Sequence, residues 1–478
     1  MFPHDLSSWA IVYYVSEWII RITMLVIVPF RRTPDAARGW LLLVLFLPWP
    51  ALILYWLIGR PTYPRWRRER FQRLPQILKI TAEQMSRMMK ADDVDLPPRI
   101  ARAATLVQNI GQQPVVDGNK VQLLAEYQDT ITRLVADIDD ARSHVHLLFY
   151  IFADDETGQV VIDALGRAVE RGVPCRVLID ALGSRPWVRR VRKLLQARGV
   201  SVALALPVIF FRRKSARADL RNHRKIAVID GRIGYAGSQN IVDPEFRTGI
   251  INKELMVRVR GPLVLELQSV FIADWFLETE EVLHAQSLLP PPEHAGSVAA
   301  QVLPSGPDYP GMGIENVIVA GIHAARDRVV IATPYFVPSE PLIDAMQTAV
   351  LRGVKVHLIM SQVTDQELVR LAQRSYYADL MALGIRIRLY RDKLLHAKNI
   401  AIDDDIAIIG SSNVDIRSFV LNSEVTLVFY DREVAALLRE EQDRYFADSD
   451  LLSPSEWEKR PFAIKIAENL GRLVSPLL

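Results

Sequence analysis

A single cysteine stands among 478 residues, so no internal disulfide can staple the chain. Cys175 falls in the apolar run at 175–180, where it reads as a buried strand residue rather than a nucleophile. Charge of one sign is also scarce. The formal net charge is only +3, from 58 basic and 55 acidic side chains, so a global basic field argues for no partner. Histidines are few, and those at 4, 144, 146, 284, 294, 323 and 357 have no partner spacing. No clustered carboxylates and no Cys/His spacing suggest a metal, and no cofactor is implied. No basic stretch precedes the first apolar run and a second run follows, which argues against a cleaved signal peptide. The length leaves room for two or three domains with large cores.

What the chain does have is one motif written twice. His223 and Lys225 are followed by Asp230, then Gly237, Ser238 and Asn240. His396, Lys398, Asp403, Gly410, Ser411 and Asn413 repeat the frame with every spacing preserved. Each copy is followed by Asn-x-Glu, Asn252/Glu254 and Asn422/Glu424, opening a β-rich run. Residues 223–229 have strand composition and Asp230-Gly231 is a hairpin dipeptide. Strand alternation puts His223 and Lys225 on one face. A neutral imidazole can attack phosphorus, and a lysine beside it can hold phosphate oxygens. Ser238 and Asn240, with Ser411 and Asn413, can donate hydrogen bonds to those oxygens. Asp230 has the opposite parity and reads as an orienting or structural carboxylate; Asp403 occupies the same place in the second copy. Glu254 and Glu424 are placed to hold Nδ1–H of a histidine, leaving Nε2 free. Two copies facing each other supply both a nucleophile and an acid, with Lys225 and Lys398 stabilising the transition-state charge.

The doubled motif resembles that of the phospholipase D superfamily, over roughly residues 120–440. Arg221-Asn222-His223-Arg224-Lys225, Asn240-Ile241-Val242-Asp243-Pro244, Thr333-Pro334-Tyr335-Phe336-Val337-Pro338, Arg374-Ser375-Tyr376-Tyr377 and the closing Ser475-Pro476-Leu477-Leu478 are similar to bacterial cardiolipin synthases. The resemblance implies an α/β protein of two pseudo-symmetric α/β/α halves with mixed sheets. It implies transfer of a phosphatidyl group from one phosphatidylglycerol to another through a phosphohistidine, with no metal. His223, Lys225, Asp230, His396, Lys398 and Asp403 form the implied catalytic set, with His223 as nucleophile and His396 as acid and base. Ser238, Asn240, Glu254, Ser411, Asn413 and Glu424 form the implied substrate-binding set. The implied partners are phosphatidylglycerol and anionic membrane lipids, not nucleic acid, at a bacterial inner membrane.

Taken in order, the chain opens with apolar runs at 10–28 and 40–58, each close to the roughly 20 helical residues a bilayer core takes. They suggest an N-terminal hydrophobic helical hairpin within residues 1–60; two buried helices of a soluble domain are the alternative. Glu17 and Arg21 can pair within the first run, and Pro48 and Pro50 would bend the second. Arginines 60, 65, 67, 68, 70 and 73, with Trp66 and Phe71, suggest a cytoplasmic side and contact with anionic headgroups. Residues 61–118 read as a basic helical linker, 119–285 as the first half, 286–313 as a second linker rich in proline and glycine, and 314–478 as the second half with an amphipathic tail. Arg171-Gly172-Val173 and Arg352-Gly353-Val354 are offset by nearly the same distance as the two motif histidines, the mark of a duplication. Phe210 to Lys214 and Arg217 read as an apolar-basic loop touching lipid. Arg370, Arg374, Tyr376 and Tyr377 either line the substrate channel or belong to an ordinary amphipathic helix. Trp457 to Leu478 either lies on lipid or packs on the second half.

Overall fold

A computed structural model describes residues 8–32, 34–59, 63–75, 94–208, 217, 219–283, 288–309 and 313–474. The loop Phe210 to Lys214, Arg60 and the closing Ser475-Pro476-Leu477-Leu478 lie outside the described residues.

The first half builds its sheet from Val116–Leu124, Val145–Phe149, Cys175–Asp180, Ser201–Ala205, Lys225–Ile229, Ile233–Gly237 and Met256–Arg260. The second uses Val298–Ser305, Arg328–Ala332, Lys355–Ser361, Arg386–Tyr390, Asn399–Ile402, Ile406–Gly410 and Glu424–Phe429 in the same spatial order. Three neighbouring strands in each half run parallel. Parallel pairing needs crossovers, which the helices Glu156–Glu170 and Val188–Ala197 provide in the first half. The apolar runs without alternation are strands covered on both faces: Val145–Phe149 is buried throughout. Each motif lies on a hairpin beside the parallel strands. Asp230 and Asp403 take positive φ at the hairpin turns, +54° and +50°, a conformation aspartate tolerates better than most residues.

The halves share one mixed sheet of 15 strands. Val298–Ser305 pairs antiparallel with Val116–Leu124 on one side and with Glu424–Phe429 on the other. This corrects the expectation of a linker over 286–313, since all eight residues of Val298–Ser305 are buried. Its prolines and glycines flank a strand whose two buried faces erase the alternation that would mark it. Likewise Asp117-Gly118-Asn119-Lys120 is not the end of a linker but the start of the first half. Gly118 has φ +78°, the register shifts there, and the buried Asn119 amide donates to the carbonyls of Val116 and Val298. The helix Pro98–Gly111, inside the supposed linker, packs Ile100, Ala104, Val107 and Ile110 into the second half's core.

At the N-terminus the helix Ser8–Ile27 contains one stretch, Trp9–Ile27, apolar and long enough to cross a bilayer. Glu17 and Arg21 pair at 3.3 Å. The second run is two helices, Pro34–Phe46 and Pro48–Ile58, of 13 and 11 residues, each shorter than the roughly 20 a span takes. Pro48 and Pro50 lack the N–H groups that would continue the first of them, and Leu47 leaves helical geometry at φ −134°, ψ 70°. Downstream, two of the arginines expected on headgroups are buried ion-pair partners. Arg67 is 1% exposed, paired with Glu278 and with Asp308 at 3.5 Å. Arg70 donates to the carbonyls of Leu277 and Glu278 and to the Glu280 carboxylate. They clamp the segment after the apolar helices onto the first half.

The tail helix Phe462–Val474 packs on Glu367–Ser375. Glu468, buried in that contact, accepts from Arg374 at 2.9 Å and from Arg460. Arg374 also stacks over Trp457, Arg472 over Tyr376, and Arg370 pairs with Glu367. The reading of these residues as a channel wall is thereby corrected in favour of the amphipathic helix: Arg374, Tyr376 and Tyr377 pack on the C-terminal segment, and Arg370 pairs within its own helix. Phe462, Leu470 and Leu473 point to solvent from its other face, 77, 58 and 69% exposed.

Candidate active site

The two motif strands come from different halves, yet both histidines line one cavity of about 280 Å³. What joins them is an exchange of carboxylates. His223 Nδ1 lies 3.0 and 3.1 Å from the two oxygens of Glu424, a residue of the second half. His396 Nδ1 lies 2.7 Å from Glu254, a residue of the first. A carboxylate accepting from Nδ1–H fixes the tautomer and leaves Nε2 unprotonated. The backbone ties the same place: His223 N–H donates to the Ser423 carbonyl at 2.8 Å, and Ser423 N–H to that of Arg221 at 2.9 Å.

Lys225 Nζ donates to the His223 carbonyl at 2.6 Å and Lys398 Nζ to the His396 carbonyl at 2.5 Å, so each ammonium stands behind its histidine with donors to spare. Burial disfavours charge on all four groups. It lowers Lys225 to about 7 and Lys398 to about 8, although nearby glutamates oppose the shift. It holds His223 well below the ordinary imidazole value, with Lys225 and Lys398 adding to the effect. His396 falls to about 4, also by burial, against the pull of Glu254. The glutamates diverge. Burial pushes Glu424 up to about 7, against Lys225 and the Ser411 hydroxyl. Burial would raise Glu254 too, but His396 and Lys398 outweigh it and bring that carboxyl down to about 2.

The remaining residues singled out by sequence divide. Asn240 and Asn413 line the cavity; Asn240 Oδ1 accepts from Ile151 N–H at 3.0 Å, which turns its NH2 to other partners. Ser411 does not face a phosphate position: its hydroxyl donates to Glu424 at 2.5 Å. Ser238 bonds the Leu255 backbone and supports Glu254. Both serines therefore stand behind the histidine–carboxylate pairs. Asp230 and Asp403 are at the far end of the motif strands. Asp230 accepts from the N–H groups of Arg142, Ser143 and His144 at 2.7–2.9 Å. Asp403 accepts from those of Arg326, Asp327 and Arg328 at 2.9–3.1 Å and from Arg99 at 2.7 Å. Their place in the catalytic set is corrected to the structural role that strand parity indicates: each pins the loop entering the neighbouring strand.

Other wall residues had no assigned role in the sequence: Tyr150, Arg247, Tyr335, Asp365, Asp415 and Arg417. The Tyr150 ring meets His223 edge-on, with centroids 4.7 Å apart. Arg247, from the first half, is paired with Asp365 of the second, which also takes the Tyr335 hydroxyl. Such contacts join residues far apart in sequence and leave no local pattern. Among the described residues no group of His, Cys, Asp and Glu is arranged to hold a metal ion.

Comparison with known proteins bears on the family and the fold. The family described as "Cardiolipin synthase, PLD-like domain" matches residues 134–275 and 318–446, one segment in each half. The chain is 35% identical over 491 aligned positions to cardiolipin synthase A of Pectobacterium carotovorum, covering 99% of both chains. It is 34% identical to cardiolipin synthase A of Proteus mirabilis, again over 99% of both. Among solved structures, the fold is similar to that of phosphatidylserine synthase from Haemophilus influenzae, with a TM-score of 0.61 and 17% identity over 80% of this chain and all of that one. Matched in both halves and along its whole length, the chain belongs to the cardiolipin synthase family of phospholipase D-like proteins.

Proposed function

We propose that the protein is a cardiolipin synthase, moving a phosphatidyl group from one phosphatidylglycerol to the glycerol hydroxyl of a second, with release of glycerol. The observation that carries the mechanism is the cross-half pairing of two imidazoles, each oriented by the other half's glutamate, around one cavity. His223 Nε2 attacks phosphorus, the P–O bond to glycerol breaks, and His396 gives that oxygen its proton. The acceptor hydroxyl then attacks the phosphohistidine, His396 takes its proton, and the N–P bond breaks. The divergent carboxylates support this division of labour. Glu254, held ionised, opposes the burial that lowers His396, the group that must carry a proton. Glu424, pushed up by burial, favours an imidazolium less, and His223 stays neutral for attack. A phosphodiester anion entering the cavity raises both histidines and both lysines toward their charged forms.

The apolar helix Trp9–Ile27, with only 11% of its residues buried, supports a membrane anchor. Arg65, Arg68 and Arg73, which follow the second apolar run, support a catalytic body on the cytoplasmic side of a bacterial inner membrane. Purified protein incubated with phosphatidylglycerol should yield cardiolipin and glycerol; phosphatidic acid as the main product would show a hydrolase instead.

The lowered lysines give this reaction an expected pH profile. kcat/KM reports the free enzyme. His396, which must carry a proton, is lowered to about 4 in the free enzyme, so kcat/KM should fall as pH rises above that value, and more steeply from about 7 to about 8, where Lys225 and Lys398 lose their protons well short of the ordinary lysine value. The limb in kcat should lie higher, because bound phosphodiester holds the protons on. A kcat/KM with no steepening before the ordinary lysine range would remove the lysines from the charge balance.

A further inference from the structure

The proposed reaction brings two anionic lipids to one cavity, and only one phosphodiester reacts. The acceptor's phosphodiester must be held without being attacked, by a cation apart from the histidine–lysine pairs. Three arginines line the cavity: 221, 247 and 417. Arg221 is 1% exposed and committed to Asp180 and the Arg217 carbonyl. Arg417 reaches the Asp219 carbonyl at 3.5 Å. Arg247 differs in being at the mouth, its side chain 41% exposed, on an irregular segment between the first motif and Asn252. Its partner Asp365 is 4% exposed and belongs to the opposite half.

We infer that Arg247 is the binding site for the non-reacting phosphodiester of the acceptor lipid. The Asp365 carboxylate is its partner while the site is empty. A phosphodiester presents the paired oxygens that a guanidinium fork engages as readily as it engages a carboxylate. When Arg247 turns to the lipid, Asp365 and the Tyr335 hydroxyl bonded to it are left facing the cavity. Both then accept from the hydroxyls of a glycerol headgroup, Tyr335 through its oxygen, because its one proton is given to Asp365. The site thus selects an anionic, hydroxyl-bearing phospholipid as acceptor, and it does so with groups that take no part in forming the phosphohistidine.

This rests on the transferase reading above, and a second acceptor separates the two. Free glycerol can also attack the phosphohistidine: its O–P bond forms, the N–P bond breaks, the hydroxyl proton passes to His396, and phosphatidylglycerol is regenerated. That exchange, followed with labelled glycerol, uses an acceptor with no phosphate. In the full-length protein, Arg247→Ala should lower the ratio of cardiolipin formation to glycerol exchange at least tenfold, through a raised KM for phosphatidylglycerol as acceptor. Arg247→Lys should recover part of it. If the two activities fall together, or neither falls, Arg247 does not hold the acceptor's phosphate and the inference is overturned. If the unaltered protein exchanges glycerol but forms no cardiolipin, the transferase reading itself fails.

Discussion

His223→Ala is expected to lower turnover by about ten-thousandfold or more, because the group that forms the covalent intermediate has no substitute in the cavity. His396→Ala should be comparably slow with phosphatidylglycerol, for a different reason. Glycerol leaves as an alkoxide unless it is protonated, and His396 is the proton source. The two variants separate when the leaving group needs no proton. With a phosphatidyl ester of p-nitrophenol, His396→Ala should release one burst of nitrophenolate per active site and then stall. Without a base to activate the acceptor hydroxyl, labelled acid-labile phosphate should accumulate on His223. His223→Ala should give neither burst nor label. A burst from His223→Ala, with label on His396, would reverse the roles. The geometry tolerates that reversal, since both imidazoles are oriented alike; the unequal carboxylates oppose it.

The chemistry of this site was legible in sequence because it is written locally and twice. A strand of period two carries His223 and Lys225 on one face, and the same frame recurs at His396 and Lys398. The parity of Asp230 even indicated its structural role, now seen in its bonds to three backbone N–H groups. Segments whose local chemistry conflicts with their place in the fold were not legible. Val298–Ser305 lies in the middle of a sheet but is flanked by prolines and glycines, and with both faces buried it shows no alternation. The bulge at Gly118 gives a central strand the composition of a turn. Arg67 and Arg374 show the same limit for charge. Arg67 reads as lipid-facing and Arg374 as part of a channel wall or an amphipathic helix, and each is committed to a buried glutamate far along the chain. Burial of a cation depends on a partner that sequence distance hides. The pairing of Arg247 with Asp365 escaped notice for that reason.

Glu254→Gln is expected to lower turnover of phosphatidylglycerol by about a hundredfold or more, through loss of the charge that stabilises the imidazolium beside it. Which histidine it disables is the sharper prediction. Glu254 lies in the first half, with His223, and by position in the chain would be assigned to it. The structure bonds it instead to His396, with Nδ1 at 2.7 Å. Glu254→Gln should therefore behave as a mild His396→Ala: slow on phosphatidylglycerol, but with the nitrophenyl burst preserved and His223 labelled. Glu424→Gln should instead weaken the burst itself, because the carboxylate 3.0 Å from His223 Nδ1 orients the nucleophile. The opposite pattern, with Glu254→Gln abolishing the burst, would mean that each half orients its own histidine. In the exchanged arrangement neither half holds a complete catalytic unit. Each imidazole is oriented only when the two halves are joined, and the strand pairing of Val298–Ser305 with both Val116–Leu124 and Glu424–Phe429 joins them in the framework of the fold.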